Sequence, residues 1–179
     1  AIARAQGLVD EVPPMYSEYW LRGMRAKIGL KSVEEEDGSL ILELLEIMQQ
    51  ARLDYTGTFR ALSSDQGDDR SPALASWMMR WRERISSERN GRPFSETLAD
   101  MRKINPAVIA RNHFVEEALR KGADEGDFSV MFRLVAALRD PFTEHTEFGA
   151  VPAEDDPDYR TRSEEHTSEL QSPCNLVCR

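Results

Sequence analysis

The stretch Ser71-Pro72-Ala73-Leu74-Ala75-Ser76-Trp77-Met78-Met79-Arg80-Trp81-Arg82-Glu83-Arg84-Ile85 decides the fold class. Leu74, Trp77, Met78, Trp81 and Ile85 recur at three- and four-residue spacing, the period of one helix face and not the alternation of a strand. Ser71 is placed to cap the helix, and Pro72 occupies the first turn, where a missing N–H is no loss. A face with two indoles needs a large apolar partner, so the stretch predicts a buried helix inside a helical assembly.

The same period extends outward in both directions. Upstream, Pro13-Pro14 precede a helix whose inner face is expected at Tyr16, Trp20, Met24 and Ile28, with Leu21, and Gly29 follows where a left-handed C-cap would sit. Glu34-Glu35-Glu36-Asp37-Gly38 then leads into Leu40, Ile41, Leu44, Leu45, Ile47 and Met48. The acidic run lacks the alternating ligands and closing Glu of a calcium loop, and reads instead as a solvated helix entry favoured by the helix dipole. Ser63 to Asp69 reads as a loop.

Downstream, Asn90-Gly91 ends the tryptophan helix, and Pro93 starts another that carries Phe94, Leu98 and Met101 and breaks at Asn105-Pro106. A further helix is expected to turn Val115, Ala118 and Leu119 inward and to stop near Gly122. Asp127 can cap the last one, which carries Phe128, Met131, Phe132, Val135 and Leu138 and ends at Asp140-Pro141. The fold class is therefore all-α: an irregular bundle of about six helices over residues 1–142, followed by an extended acidic arm over 143–161.

Composition narrows the functions. Hydrophobic residues are 40% and charged residues 31% of the 179, enough to build a core, and the formal charge is −9. Such a field repels phosphate backbones and anionic lipid, and no apolar run reaches membrane-spanning length, so neither nucleic acid nor membrane is expected as a partner. With no export signal, a cytoplasmic setting is expected. The chain opens on Ala1-Ile2-Ala3-Arg4-Ala5, helix-like text without an initiating Met, as a fragment would.

Residues 162–179 are set apart. Arg162 to Ser172 resembles the in-frame translation of a short-read sequencing adapter, so this tail is read as non-native and disordered. Cys174 and Cys178, the two cysteines of the chain, both lie beyond that match, and a lone Cys-x-x-x-Cys pair lacks the other half of a zinc site.

Two polar clusters are candidates for chemistry. In Asp54-Tyr55-Thr56-Gly57-Thr58-Phe59-Arg60, the hydroxyls and Arg60 could meet a phosphate; alternatively Asp54 or Thr56 caps a short helix while Tyr55 and Phe59 enter the core, and the second reading is preferred. After Asn105-Pro106, Arg111 and His113 could bind an anion or nucleotide. The preferred alternative has Asn112 capping the helix and the other two meeting buried carbonyls or an acidic neighbour. No Gly-rich phosphate loop, Gly-x-Ser-x-Gly elbow or His-Glu-x-x-His helix is present, so no catalytic, cofactor-binding or metal residue is assigned.

In order, Tyr19 to Leu30, Asp54 to Arg60, Trp77 to Arg82, Asn105-Pro106 with Arg111-Asn112-His113, Gly126-Asp127-Phe128 and Asp140-Pro141-Phe142 resemble the C-terminal region of the SelO (YdiU) family. The resemblance implies a kinase-like fold that transfers AMP from ATP, with Mg or Mn, to Ser, Thr or Tyr hydroxyls of proteins. It also implies that the family's Lys–Glu pair, metal-binding Asp and Asn and catalytic Asp lie upstream of the matched region. The chain is then expected to bind no ATP or metal alone, to be inactive alone, and to partner the missing N-terminal kinase-like half. The family's short Cys-containing ending has no counterpart after Thr161. A reading of another class makes the chain a free-standing helical interaction module.

If residues 162–179 carry no evolved contacts, deleting them leaves helix content and melting temperature unchanged. Circular dichroism of chains 1–161 and 1–179 checks this, and a clear loss of stability would show that the tail packs.

Overall fold

The computed structural model describes the backbone of residues 2–64, 71–88 and 91–149, and the side chains of those from residue 12 onward. Among the described residues there are seven helices and no strand: α1 Ile2–Lys27, α2 Asp37–Gln50, α3 Tyr55–Leu62, α4 Pro72–Glu88, α5 Phe94–Arg102, α6 Asn112–Glu125 and α7 Ser129–Arg139. The all-α class stands, and the helix beyond the expected six is α3. The proposed tail, its two cysteines, residues 150–161 of the acidic arm and 65–70 of the loop lie outside the described residues.

The chain divides into two compact units, Ala1–Pro106 and Ala107–Arg179. In the first, α4 supplies the center of the core. Leu74, Trp77, Met78, Trp81 and Ile85 are all buried, together with Met24 of α1, Ile28 just after it, and Ile41, Leu44, Ile47 and Met48 of α2. The Trp77 and Trp81 rings stack with centroids 5.8 Å apart, and Phe94 meets Trp81 edge-on at 5.8 Å. A buried indole N–H needs an acceptor. Trp77 Nε1 donates to the Leu40 carbonyl and Trp81 Nε1 to the Ile28 carbonyl, both at 2.8 Å, so each indole fastens α4 to the backbone of a neighbouring segment.

The helix ends follow local chemistry. Gly29 takes φ +81 after α1, as its position predicts. A Cβ there would lie 2.7 Å from Thr97 Cγ2, so the site demands glycine twice over. Ser71 Oγ accepts from the Leu74 amide at 3.4 Å, as expected of the α4 cap.

Several expectations are corrected. Helix α1 starts eleven residues before Pro13 and runs through both prolines, whose fixed φ near −65° matches helical backbone although their missing N–H groups interrupt the ladder. Tyr16 is not on the inner face: it is 51% exposed, whereas Met24 and Ile28 are buried and Trp20 and Leu21 partly so. A strict four-residue repeat drifts by about 40° per step around a 3.6-residue helix, and three steps carry Tyr16 away from Ile28. Asp37 is buried rather than solvated.

In the second unit, α6 packs on α7 around Val108, Leu134, Ala137 and Phe148. Helix α6 passes Gly122 and ends at Glu125, where Gly126 takes the left-handed cap with φ +67. Gly122 instead gives room to the Phe128 ring, which a Cβ would meet at 2.9 Å. Leu119 is exposed and Ala118 buried. In α7 the buried residues are Val130, Leu134 and Ala137, while Phe132 and Val135, and Phe128 at the N-cap before the helix, are exposed. Phe128 and not Asp127 occupies the N-cap position of α7, although Asp127 Oδ1 still accepts from the first helical amide, that of Ser129, at 2.8 Å. Residues 143–149 are not the start of an extended arm: Phe148 turns back into the core, edge-on to Phe114 at 5.1 Å.

Trp81→Ala is expected to destabilise the chain by about 3–5 kcal/mol, since it opens a cavity and leaves the Ile28 carbonyl unmet. Trp81→Phe, which keeps most of the ring but not the donor, should cost distinctly less. Urea midpoints followed by circular dichroism measure both.

Candidate functional site

Three charged side chains fall on the apolar stripes of the first unit. Asp37 stands one turn before Ile41 on α2, Arg84 lies seven residues after Trp77 on α4, and Arg25 precedes Ile28 by three on α1. They meet. Asp37 Oδ2 accepts from Arg25 Nε at 2.8 Å and from the Glu34 amide at 3.0 Å, and Oδ1 accepts from Arg84 Nε at 2.9 Å. The Asp37 side chain is fully buried and that of Arg84 is 11% exposed.

Burial by itself raises the Asp37 pKa; the Glu34 amide and the Arg84 and Arg25 guanidiniums outweigh it and hold the carboxyl below its ordinary value. Arg84 reaches further, with Nη1 on Glu88 Oε2 at 3.1 Å and Nη2 on Ser32 Oγ at 3.1 Å. Glu88 in turn accepts from the Lys31 and Ser32 amides at 3.0 and 3.1 Å. The segment after α1 is thereby tied to the end of α4.

This arrangement is chemically closed. A general base needs access to a substrate proton and a pKa near the working pH. Asp37 has neither solvent contact nor a free face, and its pKa is shifted away from neutrality. Asp37 and Arg84 themselves form part of the lining of an open groove of about 620 Å³, with Glu36, Glu43, Arg80 and Glu83, although the Asp37 side chain exposes no surface to it. An Arg80–Glu43 ion pair occupies its wall. Among the described residues, no group of three or more His, Cys, Asp or Glu side chains is gathered to hold a metal ion.

A second junction forms at Asn105, which is fully buried. Its Nδ2 donates to the Lys27 carbonyl at 2.7 Å and to Ser63 Oγ at 3.0 Å, and its Oδ1 accepts from Lys27 Nζ at 3.4 Å. Lys27 Nζ also sits over the Phe59 and Tyr55 rings at 5.0 and 5.5 Å, a cation–π contact, and burial lowers its pKa. Arg60 Nη1 donates to the carbonyls of Arg102 and Asn105 at 3.1 and 3.0 Å, a cation at the C-terminal end of α5 where the helix dipole favours one.

The first sequence cluster thus takes its structural reading. Asp54 Oδ2 accepts from the Gly57 amide at 2.5 Å as the α3 cap, and Thr58 Oγ1 donates to the Asp54 carbonyl at 2.7 Å. Phe59 enters the core as expected, but Tyr55 does not: it is 46% exposed and meets the edge of the core through the Phe59 ring, 4.8 Å between centroids. In the second cluster, Arg111 is buried at the N-cap position of α6 and Asn112 is the first helical residue, so the expected Asn112 cap is not made. His113 lies against the Phe114 ring at 3.9 Å between centroids. Asn105 belongs to the first unit and Arg111 and His113 to the second. Sequence reading missed Asp37, Arg84 and Asn105; the first two were signalled by their register on apolar stripes, the third by nothing periodic.

A model of the family described as protein adenylyltransferase SelO matches residues 5–139. The chain is 45% identical over 168 residues to a protein nucleotidyltransferase YdiU of Geobacillus kaustophilus, covering 90% of this chain and 34% of that protein. It is 43% identical over 164 residues to the one of Anoxybacillus flavithermus, with the same coverage, and 43% identical over 173 residues to the one of Cereibacter sphaeroides. The chain spans about a third of the length of the curated relatives it matches. No helix among the described residues is long and apolar enough to cross a membrane.

Asp37→Asn removes the charge that offsets two guanidiniums, and breaking one side of such a buried set costs about 3 kcal/mol. Because the folded pKa is depressed, the contribution is complete above about pH 4, the ordinary carboxylate value, and is lost as pH falls through the folded value. Urea unfolding of both proteins from pH 7 to pH 3 should show a gap that closes in acid. A gap of constant size would show that the charge is not its source.

Proposed function

The chain belongs to the SelO family of protein adenylyltransferases, and from that premise we propose that it forms the C-terminal helical region of an enzyme that transfers AMP from ATP to Ser, Thr or Tyr hydroxyls of other proteins. In that reaction the acceptor hydroxyl would give up its proton as its oxygen bonds the α-phosphorus and pyrophosphate leaves, and a bound Mg or Mn would supply charge neutralisation for the phosphates. The curated relatives are named nucleotidyltransferases, which supports a nucleotidyl group as the cargo.

Within that enzyme the helical region is a support, and the groups that hold ATP and metal belong to the kinase-like half that completes the polypeptide. The observation that carries this reading is where the interior polar side chains of the matched stretch point. Asp37 and Arg84 hold each other, Asn105 holds the ends of α1 and α3, and Arg60 holds the end of α5. Each is engaged with the chain's own backbone or with an opposite charge, and together they make a platform rather than a phosphate cradle.

The 179-residue chain supplied with ATP, Mg or Mn and a protein acceptor is expected to incorporate no AMP above a protein-free control. The full-length polypeptide is expected to incorporate it. Radiolabelled AMP transfer reads both, and metal-dependent labelling by the chain alone would overturn the division of labour.

A further inference from the structure

Helix α1 carries two apolar faces, and its own unit covers one. Met24 and Ile28 are buried, with Trp20 and Leu21 packed against the core, whereas Val12, Met15, Tyr16 and Tyr19 are 59%, 53%, 51% and 55% exposed. The exposed four are spaced at i, i+3, i+4 and i+7. At about 100° per residue they occupy an arc of about 100°, centered about 145° from the buried set. Such spacing is that of a helix built to bury a stripe.

We infer that Val12, Met15, Tyr16 and Tyr19 form the docking face for the remainder of the same polypeptide, the kinase-like half of the proposed enzyme; the inference rests on that reading of function. Every side chain from residue 12 to residue 19 is exposed, so nothing among the described residues of the first unit sheathes these two turns. They also contain Pro13 and Pro14, which subtract two ladder donors from a stretch that a short helix in water could ill spare. The helix is nevertheless part of the family and not an appendage, since the match begins at residue 5. The relatives that share it are about three times as long, which leaves about two thirds of a protein to cover the face. A second copy is the poorer occupant, because two chains of charge −9 repel. Arg22, whose guanidinium lies 4.4 Å from the Tyr19 ring centroid, supplies a polar rim to the stripe.

Thiol footprinting tests this. With Cys174 and Cys178 replaced by Ser, Tyr16→Cys and the control Val33→Cys are alkylated in the 179-residue chain and in the full-length polypeptide. Position 16 should react at least tenfold more slowly in the full-length protein, and position 33 at the same rate in both. Equal rates at position 16 would overturn the docking face, as would protection in the 179-residue chain that grows with its own concentration, which would assign the face to a second copy. Hydrogen exchange of amides 15–19 in the unsubstituted proteins reads the same face without any substitution. AMP transfer by the unsubstituted full-length protein is scored separately. Protection without transfer would sink the functional reading and keep the interface, and transfer without protection would do the reverse.

Discussion

A carboxylate with no solvent contact sits between two guanidiniums where α1, α2 and α4 converge. Desolvating Asp37 is unfavourable unless its lone pairs are met, and Arg25, Arg84 and the Glu34 amide meet them. The requirement is geometric as well as electrostatic, because each Nε must arrive from its own helix within hydrogen-bonding distance. Apolar burial alone would tolerate sliding of α4 along α2; the charged junction does not. The indoles then act in the same sense, since Trp77 and Trp81 hold the Leu40 and Ile28 carbonyls at fixed heights along α4. Hydrophobic area supplies the driving force, and these directional contacts select one register from those the area would allow.

The second junction forms on the last residue of α1, two residues beyond Arg25. Asn105 stands next to the last residue of that unit and gathers the ends of α1 and α3, while Arg60 holds the carbonyls that end α5. The unit is thus tied both where α2 begins and where its own chain leaves. The second unit relies on smaller devices: glycine at 122 admits an aromatic ring, and a left-handed glycine at 126 turns the chain from α6 toward α7.

Helical periodicity made the fold class readable, because Leu74, Trp77, Met78, Trp81 and Ile85 obey it in sequence and are buried together in space. Caps and stops such as Gly29, Ser71 and Asp140 were readable for the same local reason. Where sequence and structure part, a second constraint is at work. A four-residue repeat points Tyr16 inward but drifts around a real helix. Gly122 has the look of a helix stop, yet it answers to the Phe128 ring on the next segment. Asp37 sits in an acidic run with Glu34, Glu35 and Glu36, yet it alone of the four belongs to α2 and shares a face with Ile41 and Leu44. Its partners lie 12 and 47 residues away, and a sequence window that short cannot see them. Asn105 was invisible because a loop residue has no period to obey.

The distribution of aromatic residues between the two units has a spectroscopic consequence. Trp20, Trp77 and Trp81 all belong to the first unit, as do Tyr16, Tyr19 and Tyr55, and Tyr159 lies outside the described residues. The described part of the second unit contains phenylalanine as its only benzenoid side chain. Intrinsic fluorescence excited at the indole band therefore observes the tryptophan-bearing unit alone, whereas peptide-bond dichroism sums over both. In this chain the two optical signals are not redundant measures of one transition but separate windows on two bodies.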